Sequence, residues 1–413
     1  MSQKFQEKGY EIVEHHEKAD IYVINTCTVT NMSDRKSRQM LRRVREQNKD
    51  AIIVACGCYV QVAEEDLEKI EEIDLILGNN EKKQIVKYVE NYMKNNEKMA
   101  EVEDVMHKRE FVDFGDVIYT EKTRAVIKIQ DGCDRFCTYC IIPYARGRVR
   151  SRKPESIKTE IEKIAKEGIK EVVITGIHIA SYGKDFKEDY KLIDLLEEIN
   201  KIDGIERIRL GSIEPLIISE KFIKRLVKLE KVCHHFHLSL QSGCDETLKR
   251  MNRRYTTAEF TEIVERLRKY YNDVILTTDI IVGFPQESEE EFEKTYEFLK
   301  KVNFYKMHVF KYSQRKGTKA AMMEGQIDGN KKEERSQRLI QLSDENEKKY
   351  NEYYIGKEVD ILFEEEKNGQ YRGHTKNYIL GVLENNEQHE NLENKIVKVK
   401  CIGVEKDHIL VKM

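Results

Sequence analysis

Three cysteines set directly behind an apolar strand constrain this chain most. Residues 125–129 read as a strand, and residues 132–147 follow as Gly-Cys-Asp-Arg-Phe-Cys-Thr-Tyr-Cys-Ile-Ile-Pro-Tyr-Ala-Arg-Gly. Cys133, Cys137 and Cys140 form a C-x3-C-x2-C array, one ligand short of the four-cysteine set of an ordinary iron–sulfur cluster. A tetrahedral zinc site would want a fourth ligand nearby, and residues 120–160 hold no further Cys and no His. A redox dithiol uses two thiols, not three. Three thiolates suit a four-iron cluster with one iron left open to a ligand; a small structural metal loop is the plain alternative. Either way, the loop hangs from the carboxyl end of a strand, where α/β folds place their chemistry.

The strand–helix alternation around this loop predicts an α/β chain in three parts. In residues 1–105, a helix end stops at Gly9, and strands near 21–25, 51–56 and 74–77 alternate with helices near 33–47, 63–72 and 81–95. That alternation implies a parallel sheet. Residues 97–123 are mostly charged and read as a linker. From Arg124 the pattern restarts, with strands near 125–129, 171–175, 206–210, 235–240, 275–282 and 306–312. Six such units fit a partial barrel within residues 120–350, a cut-down relative of the closed eight-unit barrel. A charged helix over 329–350 leads into residues 351–413, whose short alternating stretches predict a small antiparallel β-barrel.

Composition narrows the class. At 413 residues the chain is too long for one ordinary core, and its 72 Lys and Arg against 75 Asp and Glu leave a net charge of −3. Any RNA-binding surface must therefore come from local patches. No run is apolar and long enough to span a bilayer, and the nine cysteines lack the spacing of a disulfide scaffold. The chain reads as cytosolic, where thiols stay reduced.

Cys27 and Cys58 each lie just past a strand end, which a shared site needs; two buried core thiols are the plain alternative. Cys56, two residues before Cys58, reads as core, with a ligand role as the minority reading. Arg146, Arg148, Arg150 and Arg152 recur at a period of two and would form one cationic row on extended backbone, suited to phosphates. Basic runs also occur over 249–255 and on the helix after Cys27, at Arg35, Lys36, Arg38, Arg42, Arg43 and Arg45. Each would singly be a solvated face. Gly176, Glu214, Gln241 and Asp279 end or approach the ends of the second to fifth large-segment strands. A turn glycine and rim capping are the plain readings of the first three. His235 and His237 share one strand face and read as neutral histidines in a polar wall.

The Cys133–Cys140 spacing, with Tyr139 before the last thiol, resembles the radical S-adenosylmethionine (SAM) superfamily. The segments Val23–Asn31, Cys140–Gly147 and Thr175–His178 narrow this to the methylthiotransferase branch, over nearly the whole chain. The resemblance implies a [4Fe-4S] cluster on Cys133, Cys137 and Cys140, with SAM on its open iron and against Tyr139, Gly176, Glu214, Gln241 and Asp279. It implies a second, auxiliary [4Fe-4S] cluster using Cys27 and Cys58, and a terminal RNA-binding barrel of the TRAM type. The branch normally has a third auxiliary ligand on an earlier strand. That ligand has no counterpart here, which points to a segment missing before Met1 or to Cys56 as a stand-in. The implied reaction is methylthiolation at C2 of N6-threonylcarbamoyladenosine beside a tRNA anticodon. Sulfur would come from the auxiliary centre, phosphate contacts from Arg146, Arg148, Arg150 and Arg152, electrons from a flavodoxin or ferredoxin, and sulfide from a separate donor. Isopentenyladenosine tRNA or a ribosomal protein is the alternative substrate, and a non-catalytic iron–sulfur RNA-binding protein the alternative class.

Overall fold

The computed structural model describes residues 1–115, 123–384 and 391–413. Part of the stretch expected as a linker, residues 116–122, lies outside the described residues. Two compact units emerge. Of the described residues, the first comprises 1–115, 131–150 and 313–322; the second comprises 123–130, 151–312, 323–384 and 391–413.

The first unit is built on four parallel strands in the order β1-β2-β3-β4: Ile21–Thr26, Ile52–Gly57, Leu75–Leu77 and Met99–Glu101. β4 falls within the stretch read as a linker, and it pairs with β3 from Leu75↔Met99 to Leu77↔Glu101. The central strand β2 is buried along its whole length, as a strand covered on both faces must be. Ile53 and Ala55 pack on one side with Leu41, Val44 and Leu67; Ile52, Val54 and Cys56 pack on the other with Leu77, Ile85 and Val89. The helix Asn31–Gln47 starts at Thr30, whose side-chain oxygen accepts from the Ser33 amide. The expected helix over 63–72 is instead two short ones, Cys58–Val62 and Glu64–Glu68, broken at Ala63. The expected helix over 81–95 opens with a 3-10 turn at Glu81–Gln84 and runs on over Ile85–Asn95.

The second unit carries the partial barrel. β5 (Arg124–Asp131) leads into the cysteine loop, and β6 (Arg150–Ser151) follows it. β7 (Glu171–Gly176) and β8 (Arg207–Leu210) complete a sheet of order β6-β5-β7-β8. β9 (His235–Gln241), β10 (Ile275–Val282) and β11 (Lys306–Lys311) form the sheet β11-β10-β9, all parallel. The two sheets are joined by isolated bridges at Ile208↔Val232 and Ile213↔Leu238. Helices between the strands present Ile157, Ile161, Leu195, Phe222, Phe260 and Phe292 to one continuous core.

The C-terminal segment closes into a barrel of order β12-β13-β14-β16-β15. Its strands are β12 Glu358–Lys367, β13 Gln370–Thr375, β14 Leu380–Glu384, β15 Ile396–Glu405 and β16 His408–Lys412. The barrel is not wholly antiparallel, because β14 and β16 pair in parallel to close it. It is anchored on the amino-terminal ends of the barrel strands. The Tyr378 ring stacks on His374 at 4.6 Å and on His235 at 4.8 Å, with the Arg209 guanidinium 4.6 Å from its centroid. Beneath it, Arg209 Nε donates to Glu171 Oε1 at 2.7 Å.

Candidate functional site

The first unit brings both thiol groups of interest into one body. β1 and β2 are in parallel register with Thr26 opposite Gly57, so Cys27 and Cys58 leave neighbouring strands at the same level. Gly57 has φ of 107°, and a Cβ there would sit 2.4 Å from the Thr26 carbonyl oxygen. Only glycine permits that approach and lets the chain turn straight from the strand into the Cys58 helix. Cys27 is exposed and Cys58 half-buried. Cys56 differs: its side chain is fully buried in the apolar cluster with Val54 and Leu77, and burial pushes its thiol up to about 11. Its Sγ lies 3.9 Å from Asn25 Oδ1. Cys56 thus packs in the core of the first unit, while Cys27 and Cys58 stand at the strand ends.

The cysteine loop is held by its own backbone. The Cys133 amide donates to the Gly147 carbonyl at 3.0 Å, and the Cys140 amide donates to the Cys137 carbonyl at 3.0 Å. The Arg135 amide points at Cys133 Sγ, 3.4 Å away, as donors do around a thiolate. Phe136 takes a left-handed φ of 49° at the bend between the first two thiols. The Ala320 amide donates to the Thr138 carbonyl at 2.8 Å, tying in residues 313–322. All three thiols are half-buried.

A polar seam joins this loop to the end of the N-terminal sheet. Arg146 Nη1 donates to Asn79 Oδ1 at 2.9 Å, and Asn79 Nδ2 donates to the Ala145 carbonyl at 2.8 Å. Arg150 Nη1 reaches Asn80 Oδ1 at 3.5 Å. Asp131 lies 3.4 Å from Arg146 and 3.7 Å from Arg150. Lys82 is buried beside them, and burial pushes its ammonium pKa down.

The four arginines do not make one exposed row. Arg146 ends a helix at Ile142–Arg146, and Gly147 then turns with φ of 73°, so the period of two is lost. Arg150 is 1% exposed and spent on Asp131 and the Arg146 carbonyl. Arg152 is buried against Glu160 in the second unit. Arg148 alone among them keeps a half-exposed head, with a side chain 43% exposed and its guanidinium 4.7 Å over Phe136. In the run over 249–255, Arg250 is taken by Glu291, and Arg253 bonds the Ser239 carbonyl at 2.9 Å. On the Asn31–Gln47 helix, Arg35, Lys36, Arg42 and Arg43 remain exposed, while Arg45 pairs with Asp74 at 2.6 Å.

In the second unit, the strand ends carry the other expected residues. A Cβ on Gly176 would meet the Gln130 carbonyl oxygen at 2.9 Å, so β7 ends with its backbone bare against β5. Glu214 is buried and lies 3.1 Å from His178 Nε2, whose Nδ1 is 2.7 Å from Ser181 Oγ. The His178 amide in turn donates to Gln130 Oε1 at 2.7 Å. Gln241 is held at a φ of 74° where β9 bulges against β10. A non-glycine residue kept in that region marks a site whose surroundings impose it. Asp279 pairs with His237 Nε2 at 3.1 Å, and Thr277 Oγ1 bonds both His237 Nδ1 (3.0 Å) and His235 Nε2 (2.9 Å). The histidine wall is thus a hydrogen-bonded unit.

Sequence reasoning missed Lys82, Asn79, Asn80 and Arg315. Arg315 lies within 2.7 Å of Asp34 and donates to Thr28 and Asn31, fixing residues 313–322 on the segment that follows Cys27. The Arg315–Lys316–Gly317 run gave no signal, since its partners are nearly three hundred residues away. A cleft of about 610 Å³ opens there, lined among others by Asn31, Arg38, Tyr59, Tyr144 and Arg315.

Residues 127–299 match the Radical SAM superfamily, and residues 1–78 match the uncharacterized protein family UPF0004. The chain is 41% identical over 406 residues to the threonylcarbamoyladenosine tRNA methylthiotransferase MtaB of Bacillus subtilis (strain 168), covering 97% of this chain and 89% of that protein. It is 43% identical to the MtaB of Aquifex aeolicus (strain VF5), covering 92% and 91%. It is 38% identical to the tRNA-2-methylthio-N(6)-dimethylallyladenosine synthase of Caldicellulosiruptor saccharolyticus, covering 95% and 81%. In fold it is similar to the radical S-adenosylmethionine methyltransferase TsrM of Kitasatospora setae, with a TM-score of 0.56, 16% identity, and coverage of 74% of this chain and 67% of that one.

Proposed function

Because the chain belongs to the radical-SAM tRNA methylthiotransferases, whose cofactors are SAM and [4Fe-4S] iron, we propose that it installs a methylthio group at C2 of N6-threonylcarbamoyladenosine in tRNA. The observation that carries this reading is the seam of Asn79, Asn80, Asp131, Arg146 and Arg150. It fastens the C-x3-C-x2-C loop to the sheet that presents Cys27 and Cys58, so two thiol centres share one body. The chain divides by sequence into an N-terminal segment (1–105), a radical-SAM segment (120–350) and a TRAM-type RNA-binding barrel (351–413).

Cys133, Cys137 and Cys140 are the residues that would hold the cluster. When bound, that group supplies one-electron cleavage of SAM to a deoxyadenosyl radical, the reagent an unactivated C–H bond requires. The chain's own residues orient the cosubstrate. Gly176 leaves backbone groups accessible, Glu214 is aimed by His178, and Gln241 and Asp279 offer polar contacts at two further strands. Tyr139 flanks the last thiol. Cys27 and Cys58 form the sulfur-handling pair. The RNA is gripped by the C-terminal barrel, by Arg148 and by the exposed cations of the Asn31–Gln47 helix. A single-stranded anticodon loop, with its base already unstacked, is the substrate form such a site can reach. A flavodoxin or ferredoxin supplies electrons, a separate donor supplies sulfide, and the enzyme works in the cytoplasm. Among the described residues, no helix is long and apolar enough to cross a membrane.

Mass spectrometry of tRNA nucleosides from a deletion strain tests the substrate. Loss of 2-methylthio-N6-threonylcarbamoyladenosine is expected; its persistence at the normal level rejects this reading. Loss of the 2-methylthio-isopentenyl nucleoside instead would favour the second substrate class, which the similarity to the dimethylallyladenosine synthase supports. SAM cleavage by the anaerobically reconstituted chain, abolished in Cys133→Ala, separates an enzyme from an iron–sulfur RNA-binding protein.

A further inference from the structure

His308 stands exposed on the inner face of β11, the outer strand of its sheet. On β9, β10 and β11, Phe236, Leu238, Leu276, Ile280 and Met307 pack into the core with the helices. The two-residue alternation of a strand then puts His237, Thr277, Asp279, His308 and Phe310 on the opposite, inward face. The contacts agree. The His237 and His308 rings lie 5.7 Å apart across β10, and Asp279 is the register partner of His308.

This wall is satisfied on one side only. Thr277 Oγ1 and Asp279 hold His237 at 3.0 Å and 3.1 Å. Among the described residues, neither ring nitrogen of His308 has a hydrogen-bond or ion-pair partner. Phe310, one pleat nearer the carboxyl end of the strand, is 48% exposed. A free imidazole and a bare aromatic ring thus stand in line on one face. Below them the barrel is closed by cations. Tyr378 stacks on His235 at 4.8 Å, with Arg209 at 4.6 Å and Arg124 at 5.7 Å from its centroid. Arg124, Arg207 and Arg209 meet only Glu171 and Glu364, so guanidiniums outnumber carboxylates at this floor. That imbalance favours a group ending in an anion over an apolar one.

The chemistry of the substrate says what fits. The radical meets C2 of the base at the carboxyl-end rim of the strands. C2 and C6 lie on different edges of the purine, so a base presented at the rim sends its N6 substituent down the wall. Two residues along a strand advance about 6.6 Å, roughly the reach from an adenine ring to the carboxylate of a threonylcarbamoyl group.

We propose that His308 is a specificity-determining residue: its imidazole N–H donates to the carboxylate of the N6-threonylcarbamoyl group, while Phe310 carries the adenine ring. Asp279 does not compete for the imidazole, because its carboxylate is turned to His237. An isopentenyl group has no acceptor, and it would strip water from His308 without replacing the hydrogen bond. No bond is made or broken in this recognition step. The proposal rests on threonylcarbamoyladenosine being the substrate, and it names the side chain that tells that base from an isopentenyl one.

The test measures binding, by the anaerobically reconstituted full chain without SAM, of anticodon stem-loop RNAs that differ at one adenosine. That adenosine carries N6-threonylcarbamoyl, its methyl ester, N6-isopentenyl or no substituent. Wild type should hold the threonylcarbamoyl RNA about tenfold more tightly than the ester or the isopentenyl RNA. His308→Phe should cut both preferences to within about threefold and leave affinity for the unmodified RNA unchanged, which also reports folding. His308→Gln, which keeps an N–H donor, should retain most of the preference. Equal binding of acid and ester by wild type, or an undiminished preference in His308→Phe, would overturn the proposal and leave the substrate to the nucleoside analysis. A wild-type preference for the isopentenyl RNA would overturn both.

Discussion

Thr26 and Gly57 sit opposite each other in the register of β1 and β2, and a Cβ on Gly57 would fall 2.4 Å from the Thr26 carbonyl oxygen. This one contact sets the level at which Cys27 and Cys58 leave the sheet. Gly57→Ala must move that carbonyl and also adopt a φ of 107°. It should cost roughly 2–4 kcal/mol of stability. Denaturant unfolding of the iron-free protein checks this, and iron uptake at the Cys133 loop should survive in the folded fraction.

Glu171 is the common carboxylate of three guanidiniums: Arg209 at 2.7 Å, Arg124 at 3.9 Å and Arg207 at 4.0 Å. The Arg209 head also lies against the Tyr378 ring, which belongs to the C-terminal barrel. Glu171→Gln should destabilise the second unit by about 3–5 kcal/mol, the cost of leaving buried cations without their partner. Limited proteolysis should release the segment after residue 351 faster than in wild type.

His235 is buried between Thr277 and the Tyr378 ring, and burial, reinforced by Arg209, holds its pKa well below the usual histidine value. His237, His374 and His308 push it the same way. The folded-state pKa is depressed, so the unfolded chain binds a proton that the folded chain does not. Stability from this group is present above about pH 6.5 and is lost as pH falls below it. Melting temperatures measured from pH 8 to pH 5 should fall, and His235→Asn should flatten the lower part of that curve.

Arg148 and Arg150 are two residues apart and should behave oppositely. Arg148→Ala should weaken tRNA binding modestly and reduce the salt dependence of binding by about one phosphate contact. Arg150→Ala should cost about 1–3 kcal/mol of stability, since it empties the space of a buried guanidinium and leaves the Arg146 carbonyl without that donor. Filter binding across a salt series, read beside thermal melts, separates the two effects.

Arg315 bridges residues 313–322 to Asp34, Thr28 and Asn31. Arg315→Met should leave SAM cleavage largely intact while lowering methylthiolated product. Hydrogen exchange should rise over residues 27–34. Equal losses of both activities would show instead that the segment serves the Cys133 loop, to which Ala320 ties it.

Local pattern carried much of this architecture. The period of the apolar residues marked the strands of both α/β sheets. The positions of Cys27, Cys58 and Cys133–Cys140 just past strand ends followed from chain order alone, because a residue's place relative to its own strand is a local property. What local pattern could not reach was any quantity set by distant neighbours. The arginine row dissolved because a helical turn at Ile142–Arg146 and a left-handed Gly147 broke its period, and because Asp131 and Glu160 drew two members inward. Cys56 and Cys58 look alike in sequence, yet one faces the core and the other starts a helix, a difference made by the turn at Gly57. Lys82 is one lysine in a charged turn until folding buries it beside Asn25, on the strand that ends before Cys27. Burial, charge balance and pairing are sums over the whole neighbourhood, so they exist only once the chain has folded.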